Sequence, residues 1–194
     1  MLLGRDDIDP NIPGEDSQTP LLWAARTGDE RVVEMLLGRA DVNPNKPDED
    51  GETPLMWAAR RGHEGVVKVL LGRDDVDPNK ADSEGETALI LAAWGGYEGV
   101  VKALLSQANF DPDKPDIYGR TPLSWAAYGY SLRAGEPDSQ SLTPLSCGAG
   151  NGNLRVTALL QQHSQSTRSK WKRFANPLPR LFGMINCDKS LQCP

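Results

Sequence analysis

Thr53-Pro54-Leu55-Met56-Trp57-Ala58-Ala59 decides how this chain is read, because the same heptapeptide returns in register. It appears as Thr19-Pro20-Leu21-Leu22-Trp23-Ala24-Ala25, as Thr87-Ala88-Leu89-Ile90-Leu91-Ala92-Ala93 and as Thr121-Pro122-Leu123-Ser124-Trp125-Ala126-Ala127. The copies start at 19, 53, 87 and 121, so one period of 34 residues holds three times running. A constant period of this size marks a stacked array of one supersecondary unit. A fifth copy, Thr143-Pro144-Leu145-Ser146-Cys147-Gly148-Ala149, arrives after only 22 residues.

Each period dictates the same local structure. Thr suits a helix N-cap, and Pro suits the first helical turn, where its missing N–H costs nothing. Small Ala side chains then permit close helix packing. Gly28, Gly62 and Gly96 fall where the first helix would end in a left-handed turn. A second apolar run follows: Val32-Val33-x-x-Leu36-Leu37, Val66-Val67-x-x-Leu70-Leu71 and Val100-Val101-x-x-Leu104-Leu105. Its i, i+3, i+4 spacing is that of one helix face. Asn43-Pro44, Asp77-Pro78 and Asp111-Pro112 then open a polar segment ending at Gly51, Gly85 or Gly119, as an extended loop or hairpin tip requires.

The unit of helix, tight turn, helix and projecting loop resembles the ankyrin repeat. The resemblance rests on Thr-Pro-Leu-x-x-Ala-Ala, on the Gly that follows (with His63 after Gly62), on Val-Val-x-x-Leu-Leu, and on Asp75-Val76-Asp77-Pro78-Asn79. It covers about residues 1–163. The period is one residue longer than the family's usual 33, and the His that commonly follows Thr-Pro-Leu is replaced by Leu22, Met56, Ile90, Ser124 or Ser146. The expected fold is therefore an all-α solenoid of helix-turn-helix pairs with projecting β-hairpin loops. Repeats are expected to start near 17, 51, 85 and 119, with a degenerate one near 141. The family resemblance implies a non-catalytic scaffold that binds other proteins.

The ends of the array read as irregular. Leu2-Leu3-Gly4-Arg5 matches Leu36-Leu37-Gly38-Arg39, so the chain opens within a second helix, and apolar surface around Leu21 is expected to lie open. The fourth copy lacks a Val-Val-x-x-Leu-Leu helix, which predicts a stacking fault over 129–142. The fifth recovers one at Leu154-Arg155-Val156-Thr157-Ala158-Leu159-Leu160, although Gly148, Gly150 and Gly152 weaken its first helix.

Charge divides the chain in two. Residues 1–164 hold 15 Lys/Arg and 26 Asp/Glu, whereas 165–194 hold six basic residues and one acid. An acidic body argues against nucleic acid as its partner. Residues 164–194, with Arg168, Lys170, Trp171, Lys172 and Arg173, are expected to form a disordered basic tail. No apolar run approaches the ~18 residues of a membrane span, and the first residues carry no secretory core. Three cysteines, Cys147, Cys187 and Cys193, are too few for a disulfide framework, so an intracellular setting, cytoplasmic or nuclear, is expected.

Catalytic and metal chemistry find no constellation here. The only histidines, His63 and His163, lie outside any nucleophile or ligand pattern. Asp75 and Asp77 suggest turn capping rather than calcium, because no glycine stands where an EF-hand loop needs one. We expect no enzyme activity, cofactor, metal or small-molecule substrate. The in-register Trp23, Trp57 and Trp125 read as inter-repeat packing.

Binding is assigned to the variable positions of the concave face that the resemblance implies. The loop tips supply Asp48, Asp50, Asp82 and Tyr118, and the ends of the first helices supply Arg26, Arg60, Arg61, Trp94, Tyr97 and Tyr128. Carboxylates beside aromatics and Arg suit a basic peptide or protein segment. The alternative is an orphaned fragment of a larger fungal receptor-like NTPase protein, with no activity of its own.

Overall fold

The computed structural model describes residues 9–14, 17–108, 110–127 and 153–174, with side chains over 154–164 in the last of these stretches. The first four heptapeptides each open a helix. These are α1 (Pro20–Thr27), α3 (Pro54–Arg61), α5 (Ala88–Gly95) and α7, which covers 122–127. The cap is the hydroxyl of the preceding Thr. Thr19, Thr53 and Thr87 accept the N–H groups of Leu22, Met56 and Ile90 at 3.2, 3.3 and 3.4 Å. Thr121 accepts that of Ser124 at 3.4 Å. These bonds satisfy one of the orphan donors that every helix start leaves.

The first three of these helices stop at Gly28, Gly62 and Gly96, whose φ angles of 80°, 74° and 72° are left-handed. Gly62 is required twice over. A Cβ there would lie 2.5 Å from the Tyr97 ring, which packs on the turn from the next repeat. The chain then reverses into α2 (Glu30–Leu37), α4 (Glu64–Leu71) and α6 (Glu98–Leu105). A longer helix, α8 (Asn153–Phe174), follows.

Two rows result. In the inner row α1 packs on α3 and α3 on α5; in the outer row α2 packs on α4 and α4 on α6. The core runs between them as one strip of Leu21, Leu55, Leu89 and the Ala pairs below, with Val33, Val67, Val101, Leu70 and Leu104 above. The Ala pairs at 24–25, 58–59 and 92–93 are no more than 2% exposed, so these helices meet almost backbone to backbone.

The projecting loops fold back on themselves. The N–H groups of Asp48, Asp82 and Asp116 donate to the carbonyls of Glu52, Glu86 and Arg120 at 3.0–3.1 Å. Among the described residues the hairpins reach β geometry only at the antiparallel Ala81–Thr87 bridge. Successive tips are tied by Ser83 N–H to Asp50 O at 3.1 Å and by Ile117 N–H to Glu84 O at 3.0 Å.

The Asp/Asn-Pro-x segments behave as turn caps and as more than that. Asn43, Asp77 and Asp111 accept the N–H two residues on, at 3.0, 2.9 and 3.1 Å. Asn45 then spans to the next repeat, donating to Asp75 O at 2.5 Å and accepting from Asp77 N–H at 2.9 Å. Asn11 does the same for Asp41 and Asn43. Lys46, Lys80 and Lys114 reach back to the carbonyls of Asn11, Asn45 and Asn79 at 2.9, 2.8 and 2.7 Å. Each loop is thus sewn to its neighbour through both backbone and side chain.

Two expectations change. Leu21 is not open surface: it is 1% exposed, because α1 packs on both α2 and α3 and its apolar side turns inward. The helix containing Leu154–Leu160 packs directly on α6 and α5, with Val156 and Leu160 in the core. It therefore covers the third helix pair. The apolar face of α6, with Val100, Val101 and Leu104 no more than 1% exposed, needs such a cover. Arg155 ties the contact to Glu98 at 3.4 Å. The helix also runs to Phe174, past the boundary expected at 163. The expected stacking fault over 129–142, the first helix of a fifth unit and the tail beyond 174 lie outside the described residues.

Candidate functional site

The inner row and the loop tips enclose a cleft of about 950 Å³ centred on the third repeat. The period explains its position. In repeat one the Arg26 guanidinium lies over the rings of Trp23 and Trp57, 4.9 and 5.4 Å from their centroids, and donates to Gln18 Oε1 at 3.2 Å. In repeat two Arg60 stands 34 residues on, 6.0 Å from the Trp57 centroid, and donates to Glu52. Arg61 lies 5.9 Å from the same ring. In repeat four Arg120 packs over Trp125 at 4.1 Å and Tyr118 at 4.6 Å, and donates to Asp116 Oδ2 at 2.6 Å. Every one of these sets joins a guanidinium, an indole and an oxygen acceptor.

The third repeat breaks the pattern at two positions. Trp94 replaces the arginine of positions 26 and 60, and Leu91 replaces the tryptophan of 23, 57 and 125. Glu86, the counterpart of Glu52, is left with Arg60 of the repeat before, 3.8 Å away. Asp82 loses a partner as well. Its counterparts Asp48 and Asp116 accept the indole N–H groups of Trp57 and Trp125 at 2.8 and 3.0 Å, and Leu91 has no such group to offer. Asp82 Oδ1 is held by the N–H groups of Glu84 and Glu86 at 2.9 and 2.8 Å. Among the described residues, no donor meets its other oxygen.

Electrostatics follow from this arrangement. Burial pushes the Glu86 carboxyl above its ordinary value, and repulsion from Asp82 adds to it against the pull of Arg60. Burial also raises Glu52, with Arg60 acting against it. Asp116 ends below the ordinary carboxylate range. Burial opposes its charge, but the Arg120 N–H and guanidinium, the Trp125 indole and the Tyr118 N–H outweigh that cost.

The cleft gathers Asp50, Arg60, Arg61, Asp82, Trp94 and Tyr97 of the residues expected from sequence. Tyr97 also packs on Gly62 and Gly95, so it is both wall and wedge. Arg26, Asp48 and Tyr118 do not line it: Arg26 is stacked in repeat one, Asp48 holds its own loop and Trp57, and Tyr118 is exposed beside Arg120. Tyr128 lies outside the described residues.

Sequence reasoning missed Glu52, Glu86, Trp57 and Trp125, which line the cleft with the others. The in-register tryptophans were expected to pack between repeats; Trp57 does so under Arg26, but none of the three is in the buried core. Trp23 is 54% exposed, because its position faces the concave side, while the neighbouring Leu and Ala positions face the core. Comparing positions 18, 52 and 86 with 26, 60 and 94 along the period would have found Glu86.

These features define a class: a solenoid of stacked helix pairs that presents loop tips and inner helices as one concave face. The chain belongs to the ankyrin-repeat family, whose model for ankyrin repeats in three copies matches residues 1–82 and 74–134. Comparison with curated proteins found no match. Ankyrin repeats generally mediate protein–protein interaction and are generally non-catalytic. Among the described residues no helix is long and apolar enough to cross a membrane.

Proposed function

We propose that this chain is a non-catalytic interaction module that holds a basic, extended segment of a partner protein along its concave face. The observation that carries the reading is the cleft itself. It sets Asp50, Asp82, Glu84 and Glu86 beside Trp57, Trp94 and Trp125. Carboxylates attract and orient cations, and indoles supply the desolvated anchors on which interface energy concentrates. The sparse cysteines support an intracellular setting for such a module.

Anisotropy of a fluorescent peptide with alternating Arg, Lys and Gly residues tests it, with a Glu-for-Arg/Lys peptide as control. The basic peptide is expected to bind and to weaken as salt rises. The triple variant Asp50→Lys, Asp82→Lys, Glu84→Lys is expected to bind it at least tenfold more weakly. Equal binding of both peptides, or an unaffected triple variant, would overturn the reading.

A further inference from the structure

We propose that the third-repeat cleft is a socket for one arginine side chain of the partner, an assignment that rests on the reading of the concave face as a basic-segment site. The chain supplies its own template for this occupant. Repeats one and two place a guanidinium over indole rings and give it an oxygen acceptor, and Arg120 does so in repeat four. The third repeat keeps the acceptor, Glu86, and its cleft is lined by Trp94 and by Trp57 and Trp125 of the adjoining repeats. It has lost its own cation, because Trp94 stands where Arg26 and Arg60 stand in their repeats, and its own indole, because Leu91 stands where Trp23 and Trp57 stand.

A second observation agrees with the first. Leu91 removes the indole N–H that satisfies Asp48 and Asp116 in their repeats, and so leaves one oxygen of Asp82 without a donor while backbone N–H groups hold the other. Asp82 and Glu86 both line the cleft. The nearest resident cation, Arg60, is committed to Glu52 and stands 3.8 Å from Glu86. A guanidinium from outside would place its flat face on Trp94, the cleft indole over which no resident guanidinium lies among the described residues, and its N–H groups on these carboxylates. An ammonium fits less well: it is a strongly hydrated point charge with no plane to stack and no paired donors.

Titration of the full chain with N-acetyl-arginine amide, followed through the ¹⁵N-indole signals of its tryptophans, tests the socket. The Trp94 and Trp57 signals are expected to move and saturate while that of Trp23 stays still. N-acetyl-lysine amide should bind at least fivefold more weakly and the uncharged citrulline amide not at all. Glu86→Gln should remove the response. Trp94→Arg should remove it too, by restoring the chain's own guanidinium as in repeat two, with the spectrum otherwise that of a folded chain. Equal binding of lysine and arginine, no response to arginine, or a full response in Trp94→Arg would overturn the socket. If that happens while the basic peptide still binds in a manner sensitive to the triple variant, the socket falls and the concave-face reading stands. If the peptide also fails to bind, both fall.

Discussion

Glu86 carries the sharpest consequence at the scale of one residue. Burial and Asp82 raise its folded value above the unfolded one, so the native state holds this proton more tightly than the unfolded chain does. Its contribution to stability is therefore present at low pH and is lost as pH rises through the folded value. Glu86→Gln should not lower Tm at neutral pH, although it weakens binding of the basic peptide; a marked fall in Tm on thermal unfolding would contradict this. Peptide affinity should fall on acidification through the Glu86 titration, above the ordinary carboxylate range, and Glu86→Gln should flatten that profile. Asp82 and Glu84 push against Glu86, whereas Arg60 and Arg120 favour its charge, so the two arginines limit how far the value rises. Asp116 has the opposite sign. Its value is depressed, so its stabilisation exists above the unfolded value and is lost as pH falls through the folded one. None of this was legible in the tip residues taken singly. Glu86 reads as one more solvated acid until its counterpart Glu52 is seen to have an arginine that it lacks.

At the scale of the element, the heptapeptide and its flanking glycine were fully legible, because caps and left-handed turns are local. Thr53→Ala should cost about 1 kcal/mol by removing the cap at Met56 N–H, measured by urea denaturation. Gly85→Ala should cost more, about 2 kcal/mol or above. Its φ is 77°, and a Cβ would approach the Ile117 backbone nitrogen to 2.8 Å, so strain and clash add. The Asn ladder was only half legible. The Asn-Pro and Asp-Pro dipeptides announced turns, but that Asn45 bonds the next repeat at Asp75 and Asp77 depends on how repeats stack. Asn45→Ala removes two inter-repeat hydrogen bonds and should cost about 1–3 kcal/mol. If Asn45→Ala proves as stable as wild type, the ladder is ornamental.

For the whole molecule, the decisive contact is α8 on α6. Repeat proteins lose stability from uncovered ends, because each unit buries its apolar face only against a neighbour. Leu160, 4% exposed, belongs to the core there. Leu160→Ala should cost about 2–5 kcal/mol. Its effect should show as faster amide exchange in α6 than in α2, since α6 is the outer helix that α8 touches. Uniform loss of protection across all three outer helices would instead make the array one cooperative unit. The pattern Leu154-x-Val156-x-x-Leu159-Leu160 marked this helix as a second helix in the sequence, but not which repeat it completes.

The sequence by itself determined the repeat, its helix starts and stops, and the acidic character of the loop tips. All of these depend on residues within a few positions of one another or on a period that can be counted. Only the tertiary structure decided that Trp57, Trp94 and Trp125 line a concave cleft, that Leu91 and Trp94 leave two carboxylates without their usual partners, and that α8 packs on α6 and α5. The cleft and the α8 contact join residues 34 positions or more apart, and the two missing partners, although only eight or nine positions from their carboxylates, show only against the neighbouring repeats. Residues so far apart meet only when the units stack, and what each side chain touches depends on which neighbour its repeat is given.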